Sequence, residues 1–335
     1  QKMVMGAVNL LMFANWLGST SRAGLLGGIF SLLIVGFLLR KKIIQYRKSL
    51  LVLFLGMIML FLFMDYFSGG VLSRNFLSLG DETRVAVKGE MVAVEDIKVE
   101  DKTLQFITTA HNLNIKFKEK GQLLLRNSKG EKLNYYKSKK EENFIYIENE
   151  DYEAYKLKIG ESKQDPHKKI LNLHYGKKDI NFLVDLKHDF YFVIGMRGNI
   201  YPIQEVESWG FEGRGELASN RGYIWSRSLP LLKKTLVTGL GPDTYAIYYP
   251  QEDCIGKFKH FNTASKIVDK PHNMYLQIAL NTGVISLAAV LIWFLVYFYR
   301  NLKIFRKNNF DNIWAQVGIA IFAAFLGYTA AGFFN

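Results

Sequence analysis

Long apolar stretches lie near both ends of the chain, and the middle is polar. Five stretches have this character: residues 3–18, 23–39, 50–64, 276–299 and 313–334. A helix needs about 20 mostly apolar residues to cross the hydrocarbon core of a membrane, and the backbone there must satisfy its own hydrogen bonds. The pattern therefore predicts an all-α polytopic membrane bundle, with three spans in residues 1–66 and two in residues 276–335.

The polar middle divides into two parts. Residues 67–207 contain short alternating segments separated by Gly, Asn and Asp, such as ENFIYIENE and INFLVDL. Alternation with period two and frequent turn residues predicts a β-rich domain, sandwich-like or barrel-like. Residues 208–275 are amphipathic and aromatic-rich, with Pro and Gly breaks. We interpret them as interfacial helices and a catalytic loop, because Trp and Tyr prefer the membrane interface.

The charges of the short loops predict the orientation. Residues 40–48 and 300–311 are short, strongly basic connections between spans. The positive-inside rule places both in the cytoplasm. By alternation, the corner before residue 23, the stretch from residue 65 to about 274 and the C-terminal end face outwards. We therefore expect a multi-pass plasma-membrane protein with an extracellular β-rich domain inserted in a large outer loop.

Composition restricts the chemistry further. The chain of 335 residues has a net charge of +13, but its lysine-rich middle is predicted to lie outside the cell, so we expect no nucleic-acid partner. The single cysteine, Cys254, excludes an intrachain disulfide. Neither the dinucleotide-binding spacing nor zinc-ligand or EF-hand spacing occurs, so we expect no metal and no cofactor.

Three polar segments on the predicted outer face contain candidates for function. Arg22 lies in a corner of small residues between two spans, Arg221 and Arg227 lie on the amphipathic stretch, and His272 opens a later span. Arginine presents a planar fork of donors to phosphate oxygens, and histidine exchanges a proton near neutral pH. Each also has a structural interpretation: a snorkelling arginine, a basic helix on anionic headgroups, or a helix-capping histidine.

Three groups of residues resemble the O-antigen ligase and O-antigen polymerase superfamily of bacterial envelope glycosyltransferases. They are the S-R-A-G corner at residues 21–24, Arg221-x-x-x-Trp225 followed by Pro230 and G-L-G-P at residues 239–242, and His272-Asn273-x-x-Leu276 leading to Gly283. The resemblance leaves the β-rich middle unaccounted for, and we interpret that part as an insertion. The chain begins at Gln1 and has fewer N-terminal spans than members of this family, so we expect an N-terminal truncation.

The resemblance implies transfer of a glycan from a polyprenyl-diphosphate carrier to an acceptor hydroxyl on a glycan, lipid or protein. Arg22 and Arg221 correspond to positions that bind the diphosphate, and His272 corresponds to a candidate general base. We assign substrate binding to a further set of neighbouring residues: Ser21, Trp225, Arg227, Asn273 and Tyr275. The family is thought to work without a metal ion, and polymerase and ligase remain equally open.

A non-enzymatic alternative also fits the sequence. The large β-rich domain carries no catalytic pattern of its own, so the protein is alternatively a membrane sensor or binding protein. In that case the arginines and His272 serve only as interface anchors. A sensor loses its function when the β-rich domain is deleted, whereas a transferase keeps part of its chemistry.

Overall fold

The computed structural model describes most of the chain. The described residues are 2–19, 21–77, 85–87, 90–118, 121–138, 144–162, 165–176 and 178–334. The chain forms two compact units. The helical unit comprises Gln1–Gly80, Thr235–Leu240 and His272–Asn335, and the β-rich unit comprises Asp81–Lys234 and Gly241–Pro271.

Apolar helices make up most of the helical unit. They are α1 (Lys2–Gly18), α2 (Arg22–Leu38), α3 (Arg40–Gln45), α4 (Arg47–Phe67), α5 (Val71–Leu77), α9 (Met274–Thr282), α10 (Val284–Phe305) and α11 (Ile313–Ala331), and a 3-10 turn over Gly332–Phe334 ends the series. In the described part of the chain, three segments are long and apolar enough to cross a membrane: Arg47–Phe67, Val284–Phe305 and Ile313–Phe334. The membrane-helical part of the predicted fold class is therefore plausible, and α2 adds a shorter apolar helix of 17 residues.

The span predicted over residues 276–299 is wrong as a continuous helix. It is broken at Gly283, whose φ of 108° is accessible mainly to glycine. Segment 235–240 reaches this break, where Val284 N donates to Thr235 O at 2.9 Å and Leu240 N donates to Leu280 O at 2.7 Å. A Cβ at Gly283 would lie 2.4 Å from the carbonyl oxygen of Val237. The apolar pattern did not reveal the break because both sides of it are apolar.

Helices α2 and α11 are in direct backbone contact. A Cβ at Gly27 would lie 2.3 Å from the carbonyl oxygen of Gly327. Four residues further along α2, the Ser31 hydroxyl donates to the carbonyl oxygen of Ala323 at 2.6 Å. The partner number falls as the α2 number rises, so the two helices are antiparallel. Small residues permit such contacts in membrane helices, where close packing and interhelical hydrogen bonds drive association.

The two basic connections meet at one end of the helical unit. Lys42 Nζ lies 2.6 Å from Asp311 Oδ1, which joins the segment after α2 to the segment before α11. The 40–48 segment is itself helical, since α3 and the start of α4 occupy it. Two basic connections at the same end of a bundle are what the predicted topology requires. Which side of a membrane this end faces stays a prediction.

The β-rich unit contains fourteen described strands in three antiparallel sheets. They are β1 (Val85–Val87), β2 (Glu90–Val92), β3 (Val94–Glu100), β4 (Thr103–Thr108), β5 (Leu113–Phe117), β6 (Leu123–Arg126), β7 (Lys132–Leu133), β8 (Tyr135–Lys137), β9 (Ile145–Ile147), β10 (Tyr155–Glu161), β11 (Lys168–Tyr175), β12 (Lys178–Asp185), β13 (Phe190–Ile194) and β14 (Ile200–Pro202). Strands β1 and β2 pair alone, β3 to β7 form a five-stranded sheet, and β8 to β14 form a seven-stranded sheet. Within each sheet the spatial order follows the chain, so both larger sheets are meanders.

The two larger sheets share one hydrophobic core. Leu104 and Phe106 of the five-stranded sheet and Leu171 and Phe182 of the seven-stranded sheet are fully buried in the same cluster. The cluster also includes Phe258 of a later helix, α8 (Cys254–Phe261). Alternate strand residues point into this core, as the period-two pattern predicts. The two sheets with their shared core agree with the β-rich part of the predicted fold class, for which the sequence left a sandwich-like or a barrel-like form open.

The other helices of the β-rich unit are α6 (Leu217–Ser228) and the single turn α7 (Tyr245–Tyr248). Because α8 contributes to the sheet core, this segment is integral to the β-rich unit. The predicted boundaries at residues 67, 208 and 276, the extracellular position of the sheets and the interfacial position of the helices stay predictions. Residues 78–84, which belong to the predicted β-rich part, lie outside the described residues.

The contact between α2 and α11 predicts opposite effects of alanine at two glycines of the same helix. Gly27→Ala should lower the free energy of unfolding by about 1–3 kcal/mol, because the methyl group meets backbone atoms. Gly36→Ala should leave stability unchanged or raise it slightly, since its Cβ meets only Ile43 Cδ1 at 3.9 Å and alanine favours a helix. Thermal unfolding of the full chain in detergent measures both. Equal stability of the two variants would contradict the close contact.

Candidate functional site

The corner before α2 exposes Arg22. Ser21 is the N-cap of the helix, and its hydroxyl accepts a hydrogen bond from Gly24 N at 3.1 Å. Arg22 is the first helical residue and is exposed, whereas Ala23 is buried. Ser21 therefore has a capping function that accounts for its position. The cap fixes the start of α2 and with it the place of the Arg22 backbone.

Asn273 and Tyr275 attach the start of α9 to the end of α11. Asn273 Oδ1 accepts from Leu276 N at 2.9 Å, and its Nδ2 donates to the carbonyl oxygen of Phe333 at 3.1 Å. The Tyr275 hydroxyl donates to the carbonyl oxygen of Thr329 at 2.6 Å. The polar atoms of both side chains are thus engaged with backbone groups. The structure gives these two predicted substrate-binding residues an anchoring function.

His272 lies at the turn that these anchors hold. It is half-buried, and its φ of 49° places it in the left-handed region, which a histidine adopts only at some cost. The residue that follows is the N-cap of α9. Strained backbone at a site that neighbouring contacts over-determine is a frequent feature of functional positions.

The fold of the helical unit brings Arg22 and His272 to the same end. Since α2 and α11 are antiparallel, the start of α2 lies beside the end of α11. The terminal turn Gly332–Phe334 contacts both α2 and α9. Arg22 and His272 therefore share the end of the helical unit opposite the basic connections. The sequence placed both on one side of the membrane, and the helix packing adds that they belong to adjoining helix ends.

Arg221 belongs to the β-rich unit and follows a strained turn. Ala218, Ser219 and Asn220 all have positive φ, between 53° and 67°. The Asn220 amide donates to the carbonyl oxygen of His260 at 2.7 Å, which holds this turn in place. The Arg221 guanidinium is half-buried and, within the described part of the chain, has no hydrogen-bond or ion-pair partner. Burial lowers its pKa, yet an arginine stays protonated, so its charge is available to an anion.

Trp225, one turn after Arg221, is a structural residue. Its indole Nε1 donates to the carbonyl oxygen of Pro271 at 2.8 Å, and its ring lies 5.6 Å from that of Phe211. The side chain is buried. The Arg-x-x-x-Trp spacing therefore places a free cation and a buried anchor on successive turns of α6. The Trp225 hydrogen bond fixes the backbone immediately before His272.

Arg227 forms a buried network with Asp253. Its Nε donates to Asp253 Oδ2 at 2.9 Å, and its guanidinium lies 4.7 Å above the Tyr223 ring. Asp253 also accepts from the Tyr223 hydroxyl at 3.0 Å and from Gly256 N at 2.9 Å, as the N-cap of α8. The nearby carboxylate and the burial together raise the pKa of Tyr223 well above its usual value, with burial the larger cause. Arg227 thus neutralises a buried acid, and its predicted role in substrate binding stays a prediction.

His260 is a site residue that the sequence did not single out. Its ring stacks on Tyr223 at 4.7 Å, and its Nδ1 is buried without a hydrogen-bond partner among the described residues. Burial, assisted by the charges of Lys259 and Arg227, lowers its pKa to about 4. No pattern marks His260, because it is an isolated histidine in a short helix. The sequence signal that could have pointed to His260 is a glycine that packs against it, since a Cβ at Gly215 would lie 2.3 Å from the His260 ring.

A polar cleft of about 510 Å³ opens beside this network. One wall is β3, with Asp96 and Lys98, and the other is α8, with Lys259 and His260. Arg227 and Asp253 line it as well. The cleft lies entirely within the β-rich unit. In the described residues no group of three or more His, Cys, Asp or Glu side chains has an arrangement that holds a metal ion.

Comparison with known proteins shows which protein family part of this chain is similar to. The family model for O-antigen ligase matches residues 182–291, less than half of the chain. The match confirms the resemblance to the O-antigen ligase and polymerase superfamily, whose members are integral membrane proteins of a glycosyltransferase-like type. No curated protein and no solved structure matches the chain.

The matched range begins inside β12 and ends inside α10. It contains most of the predicted site residues: Arg221, Trp225, Arg227, His272, Asn273 and Tyr275. Ser21 and Arg22 lie outside it, as do the strands before β12. The match therefore extends further into the seven-stranded sheet than the resemblance in the sequence, which started near residue 219. The role of every site residue stays a prediction.

The different surroundings of the two arginines predict different effects on stability. Arg227→Gln leaves the buried Asp253 carboxylate without its counter-charge and should lower the free energy of unfolding by about 3 kcal/mol. Arg221→Gln removes no hydrogen bond or ion pair among the described residues and should change the free energy of unfolding by less than about 0.5 kcal/mol. Urea unfolding of the full chain, followed by tryptophan fluorescence, compares the two. A larger loss from Arg221→Gln would contradict the assignment.

His260 predicts a loss of stability in acid. Its pKa is lowered from 6.5 to about 4, so the unfolded chain binds a proton that the folded chain does not as pH falls through this window. The free energy of unfolding should therefore be about 3 kcal/mol lower at about pH 4 than above pH 6.5, where His260 is neutral in both states. His260→Phe keeps a stacked ring without a titrating group, so it should flatten the profile over this window. An unchanged slope in the variant would contradict the prediction.

Proposed function

We propose that the protein is a lipid-carrier glycosyltransferase of the O-antigen ligase or polymerase type, acting on the outer face of the plasma membrane. The observation that carries this proposal is the family match over residues 182–291, which includes Arg221 and His272. A membrane sensor would require neither the half-buried, unpaired charge of Arg221 nor the strained backbone of His272. The transferase therefore takes precedence over the sensor.

The donor is a glycan linked to a polyprenyl diphosphate. Among the described residues the Arg221 guanidinium has no hydrogen-bond or ion-pair partner, and its planar donors match phosphate oxygens. Arg22 is an exposed cation at a helix N-terminus. Negative charge develops on the diphosphate as its bond to the anomeric carbon breaks. Fixed cations near that charge stabilise the transition state without reorganising.

The acceptor hydroxyl attacks the anomeric carbon directly. A new carbon–oxygen bond forms, the bond to the diphosphate breaks, and the carrier leaves with the electron pair. His272 takes the proton of the attacking hydroxyl, a step that contributes about 10²–10⁴-fold in other enzymes. A single displacement of this kind inverts the anomeric configuration. The acceptor is a hydroxyl group of a glycan, lipid or protein.

The supporting residues hold these groups in place. Asn273 and Tyr275 fix the turn that carries His272, and Trp225 fixes the residue before it. Ser21 caps the helix that begins with Arg22. Positioning within a fraction of an ångström governs the rate of such reactions. These residues therefore support catalysis by holding the backbone that carries His272 and Arg22.

A variant series in the full-length protein tests the proposal. His272→Ala should reduce transfer from a polyprenyl-diphosphate-linked oligosaccharide by about 10²-fold or more, because no base remains to take the proton. Arg22→Gln and Arg221→Gln should each lower kcat while the protein stays folded. Product chains separated by size measure transfer, and a ladder of repeats distinguishes a polymerase from a ligase.

Matched controls keep this test specific. His167→Ala and Arg126→Gln remove the same side-chain types from exposed positions of the β-rich unit and should leave transfer unchanged. Undiminished transfer by folded His272→Ala would exclude the general-base role. Loss of transfer in the controls as well would show that the assay reports folding, and the assignment would then be withdrawn.

A further inference from the structure

An apolar cleft lies between α2 and α10 at the basic end of the helical unit. It measures about 500 Å³ and is lined by Leu33, Ile34, Phe37, Leu38, Leu302 and Arg306. Leu302 and Ile34 pack against one core that includes Ile319, Phe322 and Leu326 of α11, so the cleft is a gap between two helices that both contact α11. All but one of its lining residues are apolar. We call it the α2–α10 cleft.

Two arginines border this cleft. Arg306 lines it directly and is exposed. Arg40 lies next to it, because its guanidinium carbon is 4.7 Å from the centre of the Phe37 ring. Its Nη1 also donates to the carbonyl oxygen of Phe37 at 3.0 Å. One wall of the cleft thus holds a cation in a fixed position, with further donors still available.

The helical unit contains almost no acid to neutralise these cations. Its acidic residues are Asp65 and Asp311. Asp311 is paired with Lys42 at 2.6 Å. Asp65 lies in the last turn of α4, away from the basic connections, and its Oδ1 accepts from Ser73 N at 2.8 Å. Among the described residues neither Arg40 nor Arg306 has a carboxylate partner. An anion from outside the chain would meet two uncompensated charges.

We propose that the α2–α10 cleft binds an anionic phospholipid, with one acyl chain between the helices and the headgroup phosphate on Arg40 and Arg306. An apolar channel with guanidinium groups at one end fits a molecule that has an acyl chain at one end and a phosphate at the other. Guanidinium forks match phosphate oxygens, and basic pockets between membrane helices bind anionic headgroups.

This lipid is distinct from the glycan carrier. Arg22 and Arg40 bracket α2, whose 17 residues span about 25 Å. The proposed diphosphate site lies at the Arg22 end, and the α2–α10 cleft lies at the opposite end. The lipid site therefore does not depend on the proposed transferase activity.

Native mass spectrometry of the purified full chain in neutral detergent tests the proposal. Phosphatidylglycerol should bind as one tightly held molecule, and phosphatidylethanolamine of the same chain length should bind much more weakly. The double variant Arg40→Gln/Arg306→Gln should weaken phosphatidylglycerol binding by about fivefold for each arginine, or about 25-fold in total. Excess inorganic phosphate should not displace the lipid, because it lacks an acyl chain.

Two further variants separate the site from general charge and from folding. Arg300→Gln removes the same charge from α10 outside the cleft and should bind the lipid as the parent does. Leu33→Trp keeps all charges but obstructs the cleft, and it should weaken binding. Each of three results would overturn the proposal. The double variant binds phosphatidylglycerol as tightly as the parent does, the parent binds phosphatidylethanolamine as tightly as phosphatidylglycerol, or the parent binds a polyprenyl phosphate more tightly than phosphatidylglycerol.

Discussion

The close approach of α2 and α11 is the contact on which the helical unit depends. Lipid chains are as apolar as leucine, so apolar burial supplies little attraction between membrane helices. Gly27 and Gly327 allow the backbones to touch, and Ser31 adds a hydrogen bond to the facing helix. The antiparallel pair then determines which helix ends adjoin. Arg22 and the anchors of the His272 turn lie together because of this contact, although 250 residues separate them in the sequence.

In the β-rich unit, the contacts of Asp253 are the interaction on which the packing of α6 against α8 depends. The sheets are local meanders that share one core, α8 contributes to that core, and α6 contacts α8 through polar groups. Asp253 joins the two helices by capping α8 while accepting from Tyr223 and Arg227 of α6. Burial raises the pKa of Cys254, the next residue, to about 11, so its thiol stays protonated and packs as a small apolar group. A buried acid with several donors specifies one arrangement of these helices.

The sequence predicted the elements better than the function of individual side chains. Apolar runs and alternating strands have a period, so the helices and sheets follow from pattern alone. The break at Gly283 has no such signal, because segment 235–240 reaches it from a distant part of the chain. Arg221 and Arg227 look equivalent in the sequence, six residues apart on one basic stretch. Only packing separates the unpaired guanidinium of Arg221 from the one that Asp253 neutralises, and only packing reveals His260 beside Tyr223.

The helical unit has few acidic residues, and both of its ends therefore carry an excess of positive charge. With Asp65 and Asp311 as its acidic residues, this unit has many more cations than carboxylates. Cations at the edge of an apolar bundle are costly unless water or an external anion meets them. At the Arg22 end, the proposed diphosphate site lies on helix ends that carry Arg22 and the strained backbone of His272. At the other end, the proposed lipid site lies at an apolar cleft bordered by Arg40 and Arg306. In both proposals the excess positive charge attracts a phosphate group, and the side chains beside that charge determine whether the phosphate takes part in a reaction.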